Sequence, residues 1–393
     1  MKKVLAILLA LIMAISLVAC GGATTPSPSA APSTAPSTAP STEPSTAASA
    51  SPSAATGTVG YFTDEVDHNA RKTYKIAYLY YTTSALEKAH FTAMQNMQKR
   101  LNFTVVDFTA NSDADAFIQN MEVLKEQDFD GMIIEPNAET HERIFEVANE
   151  LKIPFIYTVN AYRDENHANL VPTIILDQHK NGVTQMDWMK DHYKDYWKGD
   201  VNPSEIALLS LEFSSNPDLN TRAQGVKDEF AKLFPGNKII VGDLVSGKLD
   251  ADNAFNQTST IISGNTDVKY WWIAGTVEFF GEGAARATES LGITDKTLIV
   301  TSGANVLPVE WDAGYKGNWV ASYAVYNYNY VVPALCGLIA IMDGRATQET
   351  LWQELRAPGD KATAYFAGDQ MVTIDTYKSV QTEIAKKYGV EGA

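Results

Sequence analysis

The hydrophobic positions of the chain alternate between two spacings from Tyr74 onward. Short continuous apolar runs, rich in β-branched and aromatic residues, are followed by longer segments in which apolar residues recur every three to four positions. The short runs are typical of buried parallel strands, and the longer segments are typical of amphipathic helices. The spacing predicts strands over residues 74–80, 104–108, 131–135 and 155–159, and helices over 86–100, 114–127 and 139–151.

The same pattern begins again near residue 205. Strands that alternate with helices predict a parallel sheet covered by helices on both faces, and two such units predict two Rossmann-like α/β lobes. Ligands of such sheets bind outside the carboxyl ends of the strands, so facing lobes can line one cleft. The second unit has predicted strands over 205–211, 238–245, 270–273 and 297–301, and predicted helices over 219–233, 251–263 and 280–291.

The N-terminus, MKKVLAILLALIMAISLVAC, has two lysines followed by an uninterrupted apolar run. This order is that of a secretory signal peptide. Its end, L-V-A-C, resembles the lipobox of bacterial lipoproteins, which implies that residues 1–19 are removed and that Cys20 is acylated. A simple secretory signal with a chance cysteine is the alternative.

Residues 20–59 consist mainly of Ala, Ser, Thr and Pro, with Glu43 as their single charge. Such a segment buries too little apolar surface to offset its ordering entropy, so we expect a disordered tether after the lipidated cysteine. The formal net charge of the chain is −16, which disfavours electrostatic binding of nucleic acid. Cys336 is the only other cysteine, so no disulfide within the chain is predicted once Cys20 is acylated.

The motifs of common enzyme classes are absent from the sequence. His141-Glu142 lacks the second histidine of H-E-x-x-H, and no G-x-S-x-G occurs. The six histidines do not have the spacing of zinc ligands. We therefore predict a protein that is not an enzyme and that carries neither a cofactor nor a metal.

Five segments together resemble the type I periplasmic binding proteins, in particular the ribose-binding type that serves sugar ABC transporters. They are YKIAYLYYTTSALEKAHFTAMQNMQKRL, FDGMIIEPNAE, LKIPFIYTVN, IILDQHKNG and RAQGVKDEF, and the resemblance extends over residues 72–390. It implies two hinged lobes joined by three crossings, near Asp177, near residues 303–326 and near residues 345–365. The implied N-terminal lobe comprises residues 60–176 plus about 327–350. The implied C-terminal lobe comprises 177–326 plus about 351–390.

The same resemblance implies a set of cleft residues. Arg222 matches the arginine that donates to sugar hydroxyls in the family, and Val159-Asn160 replaces the family's Asp-Arg pair. If residues 323–330 are extended, alternation at Tyr326, Tyr328 and Tyr330 turns these rings to one face. Lys248, if it lies in the cleft, would suit an acidic or phosphorylated ligand. The predicted ligand-binding residues are Tyr81, Ser84, Asn160, Arg222, Lys248, Glu278, Asn305 and Tyr326.

These features predict a lipid-anchored binding protein at the outer face of the cytoplasmic membrane. Its expected partners are a sugar-like small molecule, an ABC transporter permease and the membrane, and not nucleic acid. The expected ligand is a monosaccharide or polyol, and binding closes the hinge between the lobes. The alternative is a sensory subunit whose closed form is presented to a receptor kinase or chemoreceptor.

Overall fold

The computed structural model describes residues 59–390, except for 84, 137–139, 198, 246–248 and 369. Three predicted positions, Cys20, Ser84 and Lys248, lie outside the described residues. Two six-stranded sheets are present, and apolar clusters cover both faces of each. This confirms the predicted fold of two α/β lobes with largely parallel sheets. No helix in the described part of the chain is both long and apolar enough to span a membrane.

Lobe 1 contains a fully parallel sheet with the strand order β11-β5-β4-β3-β1-β2. On β1, Ile76 and Tyr78 face one apolar cluster, whereas Ala77 and Leu79 face the other. Both faces are therefore buried, which explains the continuous apolar run. The elements are β1 (Tyr74–Tyr80), α1 (Ala85–Leu101), β2 (Phe103–Thr109), α2 (Ala114–Val123), β3 (Gly131–Glu135), α3 (His141–Leu151), β4 (Phe155–Val159), β5 (Thr173–Ile175), α9 (Asn327–Met342) and β11 (Ala364–Phe366).

Lobe 2 has the strand order β12-β10-β9-β8-β6-β7, and only the edge strand β12 is antiparallel to its neighbour. Its elements are α4 (Gln178–Tyr196), β6 (Ile206–Glu212), α5 (Pro217–Leu233), β7 (Ile239–Asp243), α6 (Ala251–Gly264), β8 (Tyr270–Gly275), α7 (Glu278–Ser290), β9 (Thr297–Gly303), α8 (Leu307–Asp312), β10 (Trp319–Ala324), β12 (Gln370–Thr373) and α10 (Tyr377–Tyr388).

The chain passes between the two sheets three times, after β5, after β10 and after β11. The predicted third crossing near residues 345–365 is wrong, because Ala364–Phe366 pairs in parallel with β5 and keeps this stretch in lobe 1. For the same reason the predicted start of the C-terminal part of lobe 2 at about residue 351 is wrong; β12 begins at Gln370. The condition set for residues 323–330 is not met, because β10 ends at Ala324 and α9 begins at Asn327, so Tyr326, Tyr328 and Tyr330 do not alternate along one extended strand.

Two glycines allow α4 and α5 to cross in backbone contact. A Cβ atom on Gly182 would lie 2.2 Å from the carbonyl oxygen of Arg222, and one on Gly225 would lie 2.1 Å from that of His179. Real side chains do not tolerate such distances, so only glycine fits at either position. The crossing brings the first turn of α4 against the second turn of α5.

His141 is a buried histidine at the start of α3, in the core of lobe 1. Its ring lies 6.0 Å from that of Tyr157 and 5.7 Å from that of Tyr162. Its Nε2 atom is buried and has no hydrogen-bond partner among the described residues. Burial lowers the pKa of His141 to about 4, because the charged imidazolium would be poorly solvated there.

Acid should therefore destabilise the protein through His141. Below pH 6.5 the unfolded chain binds a proton that the folded chain takes up only near pH 4, so stability falls as the pH falls through this window. Between pH 7 and 5 we expect wild type to lose about 2 kcal/mol more stability than His141→Phe. Urea denaturation at the two pH values measures the difference. Equal losses in wild type and His141→Phe would contradict the prediction.

Candidate functional site

Four of the nine non-glycine residues with positive φ in the described part of the chain lie at carboxyl ends of strands. Val159, at the end of β4, has φ 69°, although a β-branched residue is disfavoured in this left-handed region. Ala304 follows β9 with φ 58°, and Asn111 and Ser112 follow β2 with φ 51° and 66°. Such conformations persist where the surrounding structure enforces them, often at ligand sites. The strain marks the edge at which α/β sheets bind ligands.

In lobe 1, two predicted residues lie on either side of the end of β3. The backbone N–H of Tyr81 donates to the carbonyl of Glu135 over 3.1 Å. The side-chain amide of Asn160 donates to the carbonyl of Pro136 over 2.7 Å. The Tyr81 hydroxyl donates to the carbonyl of Ser112 over 2.9 Å. The structure therefore brings Tyr81 and Asn160 together around Glu135 and Pro136.

Glu135 itself was not among the predicted site residues. Glu135 is 5 % exposed, and its Oε2 accepts hydrogen bonds from the Tyr78 hydroxyl at 2.7 Å and from the Thr158 hydroxyl at 3.5 Å. His90 Nδ1 lies 3.1 Å from the same oxygen. Burial and the Glu135 charge raise the pKa of Tyr78, so its hydroxyl remains a donor. An acid that ends an apolar strand, as in G-M-I-I-E-P, is the sequence signal for this residue.

In lobe 2, the guanidinium of Arg222 is held by two neighbouring elements. Nε donates over 3.0 Å to the side-chain oxygen of Gln178, and Nη1 donates to the carbonyl of Thr276. Arg222 is 7 % exposed, and the α4–α5 crossing places it beside Gln178. The Thr276 hydroxyl, just beyond β8, is buried without a partner among the described residues. Gln178 was not predicted, because its contact with Arg222 depends on the helix crossing. Thr276 was not predicted, because it lies 54 residues from Arg222 in the sequence.

Asp218, one turn before Arg222, connects this region electrostatically to lobe 1. Burial raises the pKa of Asp218, and the guanidinium groups of Arg222 and Arg163 oppose that rise. Arg163 lies in the segment between β4 and β5 of lobe 1. The Asp218 carboxylate of lobe 2 and the Arg163 guanidinium of lobe 1 are therefore close enough to interact electrostatically beside the candidate site.

The structure brings Glu278 and Asn305 together, but the Glu278 carboxylate is hydrogen-bonded to backbone N–H groups. It accepts hydrogen bonds from the N–H groups of Asn305, Val306 and Leu307 at 2.7, 2.8 and 3.0 Å. Burial raises the pKa of Glu278, and these backbone donors oppose the rise. The carboxylate thus fixes the turn after β9, and the exposed Asn305 amide donates to the Gly303 carbonyl.

Tyr326 lies at the second crossing, immediately before α9. Its ring is partly buried against the core of lobe 2. The preceding residue, Val325, donates its N–H to the carbonyl of Gly303 over 3.1 Å. This places Tyr326 at the same end of β9 as Asn305.

Two surface grooves of about 750 and 580 Å³ lie at the amino ends of strands, opposite the carboxyl ends that carry the candidate site. The larger includes Thr297 and Trp319, which begin β9 and β10, and the smaller includes Phe155, which begins β4. Their position at amino ends of strands separates them from the candidate site. No group of three or more His, Cys, Asp or Glu side chains suited to a metal ion occurs in the described ranges.

Comparisons with known proteins agree with this fold. Residues 78–327 match the sequence profile of the periplasmic binding protein domain. No curated protein sequence matches the chain.

Three solved structures are similar in fold. A solute binding protein of an ABC transporter from Actinobacillus succinogenes, with bound D-allose, has a TM-score of 0.61 at 16 % identity, covering 78 % of this chain and 100 % of its own. The binding component of the arabinose ABC transporter of Shewanella sp. ANA-3, bound to L-arabinofuranose, has a TM-score of 0.58 at 15 % identity. The match covers 80 % of this chain and 95 % of that protein. A 5-methylthioribose transporter binding protein from Thermotoga lettingae has a TM-score of 0.60 at 16 % identity. The match covers 81 % of this chain and 93 % of that protein.

Proposed function

Because the chain belongs to the periplasmic binding protein family, whose members bind substrates and are not enzymes, we propose that it is an extracytoplasmic solute-binding protein. It captures a small polar ligand of the monosaccharide or polyol class between its lobes and delivers it to an ABC transporter. Contacts from both lobes favour the closed form, so the ligand shifts an open–closed equilibrium.

The observation that carries this proposal is that each lobe holds fixed polar side chains at the carboxyl ends of its strands. Lobe 1 contributes Tyr81, Asn160 and the buried Glu135, and lobe 2 contributes the immobilised guanidinium of Arg222. A sugar presents hydroxyls that both donate and accept, and fixed carboxylate, amide and guanidinium groups match them. Similar folds that hold allose, arabinofuranose and methylthioribose support the same ligand class.

The N-terminal segment supports the membrane-anchored part of the proposal. Acylation of Cys20, followed by the Ser/Thr/Pro-rich tether, would hold the binding lobes near a permease at the outer face of the cytoplasmic membrane. Attachment raises the effective concentration of captured ligand beside the transporter. We expect Cys20→Ser to leave ligand binding intact but to reduce uptake of the ligand by cells.

A ligand panel tests the proposed function. The purified full-length protein is titrated with D-allose, L-arabinose, D-ribose, D-glucose and 5-methylthioribose, and with uridine and L-leucine as other classes. A ligand at 100 times its dissociation constant should raise the free energy of unfolding by about 2.7 kcal/mol, which thermal denaturation detects.

Matched variants locate the site. Asn160→Ala should weaken the stabilisation by a sugar, whereas Asn149→Ala should not. Asn149 is exposed, and its side-chain amide donates a hydrogen bond to the Phe145 carbonyl within α3. Stabilisation by uridine or leucine alone would contradict the sugar assignment. No stabilisation by any compound of the panel would also argue against it.

A further inference from the structure

The C-terminal helix, α10, begins in the core of lobe 2 and ends in the core of lobe 1. Tyr377 and Val380 belong to an apolar cluster of lobe 2, and Tyr388 belongs to one of lobe 1. Ile384, between them, packs against both clusters. We propose that α10 is a strap across the hinge that limits how far the two lobes rotate apart.

The lobe 2 end of the strap is anchored by Tyr377. Its hydroxyl donates to Asp312 Oδ1 over 2.8 Å, and its ring lies 5.1 Å from that of Trp311. Four residues earlier, the antiparallel pairing of β12 with β10 ties the chain to the same sheet. This end therefore moves with lobe 2.

The lobe 1 end is anchored by Tyr388, which is 2 % exposed. Its ring contacts that of Phe62, with centroids 5.2 Å apart, and that of Tyr328, with centroids 5.8 Å apart. Its hydroxyl donates to Asn329 Oδ1 over 2.9 Å. Its carbonyl accepts a 2.7 Å hydrogen bond from Arg100, whose guanidinium lies over the Phe62 ring. A cation at a helix C-terminus is also favourable for the helix dipole.

Asn329 joins this anchor to the third crossing. While its Oδ1 accepts from Tyr388, its Nδ2 donates to the carbonyl of Gly368 over 2.7 Å. Gly368 lies between β11 and β12, where the chain passes from lobe 1 to lobe 2. One side chain of α9 therefore holds both the crossing segment and the end of the strap.

A rigid rod fixed at both ends restrains the rotation of the bodies that it joins. The twelve residues of α10 form a rod about 18 Å long. Wide opening of the hinge must bend this rod or pull one end from its seat. The seat of Tyr388 resists by burying an aromatic ring and two hydrogen bonds, so its loss should widen the range of interlobe angles.

The proposal extends the proposed function, since a limited hinge is useful to a protein that closes on a ligand. It is tested without ligand, so failure of the sugar assignment leaves the test valid. Spin labels are attached to Lys125→Cys in lobe 1 and Thr266→Cys in lobe 2, both at exposed positions, in the full chain with Cys20→Ser. Cys336 is buried, and burial raises the pKa of its thiol to about 12, so it resists labelling.

Pulsed electron double resonance then gives the distribution of interlobe distances. We expect Tyr388→Ala and Tyr377→Ala each to broaden this distribution about twofold, and Arg100→Met to broaden it less. Lys386→Ala, at an exposed position of the same helix, should leave it unchanged. A wild-type distribution in both Tyr388→Ala and Arg100→Met would overturn the proposal, as would equal broadening by Lys386→Ala. If Tyr388→Ala does not fold, Arg100→Met, a surface change, decides between the two results.

Discussion

Replacing Gly225 by valine is expected to lower the free energy of unfolding by about 3 kcal/mol or more. The first added carbon alone would lie 2.1 Å from the carbonyl oxygen of His179, which is backbone and cannot rotate away. The helices α4 and α5 must then separate, which opens the core beneath them. Urea denaturation followed by tryptophan fluorescence measures the loss, because six of the seven tryptophans lie in lobe 2.

Gly264→Ala is the matched control for this prediction. Gly264 is also a helical glycine of lobe 2, but a Cβ atom there would meet nothing within 4 Å. Alanine favours helix by up to about 1 kcal/mol over glycine, so this variant should be as stable as wild type or more so. If Gly225→Val proved as stable as Gly264→Ala, the tight crossing of α4 and α5 would be refuted.

The strands and amphipathic helices could be predicted because their hydrophobic period is a local property. β1, β3 and β4 are buried on both faces and therefore appear as continuous apolar runs. In α3, Ile144, Val147 and Ala148 form a single buried stripe on an otherwise polar helix. In both cases the hydrophobic pattern of the sequence shows which residues are buried in the folded protein.

Four helices of the described chain, α4, α8, α9 and α10, were not predicted. The reasons are opposite for α4 and α9. The buried face of α4 includes Asn181 and Gln185, which hydrogen-bond each other over 2.7 Å, so the helix lacks a clean apolar stripe. The helix α9 is apolar on all sides and contains Pro333, so it shows no helical period. Its burial between the sheet and α1 overrides the local preference against helix.

Only part of the candidate site could be predicted from the sequence. Arg222, Glu278 and Asn305 could be predicted by resemblance, since Arg222 lies in a matching helix motif, Glu278 opens α7 and Asn305 follows β9. Their partners depend on distances between elements that are far apart in sequence. Gln178 reaches Arg222 through the glycine-mediated crossing, and Glu278 turns toward the 305–307 backbone because the turn after β9 presents three N–H groups to it.

Arg222→Lys is expected to weaken binding of the sugar identified by the panel at least about 100-fold, equivalent to about 2.8 kcal/mol. The planar fork of arginine can contact Gln178, Thr276 and a ligand hydroxyl at once, whereas one ammonium group cannot occupy all these directions. Each lost hydrogen bond to a charged group is worth about 1.5–3 kcal/mol. Isothermal titration calorimetry gives the dissociation constants.

Arg286→Lys is the matched control, since it makes the same substitution in lobe 2 but outside the candidate site. Arg286 lies on α7 in the same lobe, and its guanidinium is half exposed and pairs with Asp252 at 3.0 Å. Its replacement should leave the affinity unchanged, because the charge and the candidate site both remain. Arg222→Lys should also lower thermal stability, since Gln178 and the Thr276 carbonyl lose donors, so both titrations are made well below the unfolding temperature. If Arg222→Lys bound the sugar as tightly as Arg286→Lys while losing that stability, Arg222 would hold α4, α5 and β8 together without touching the ligand.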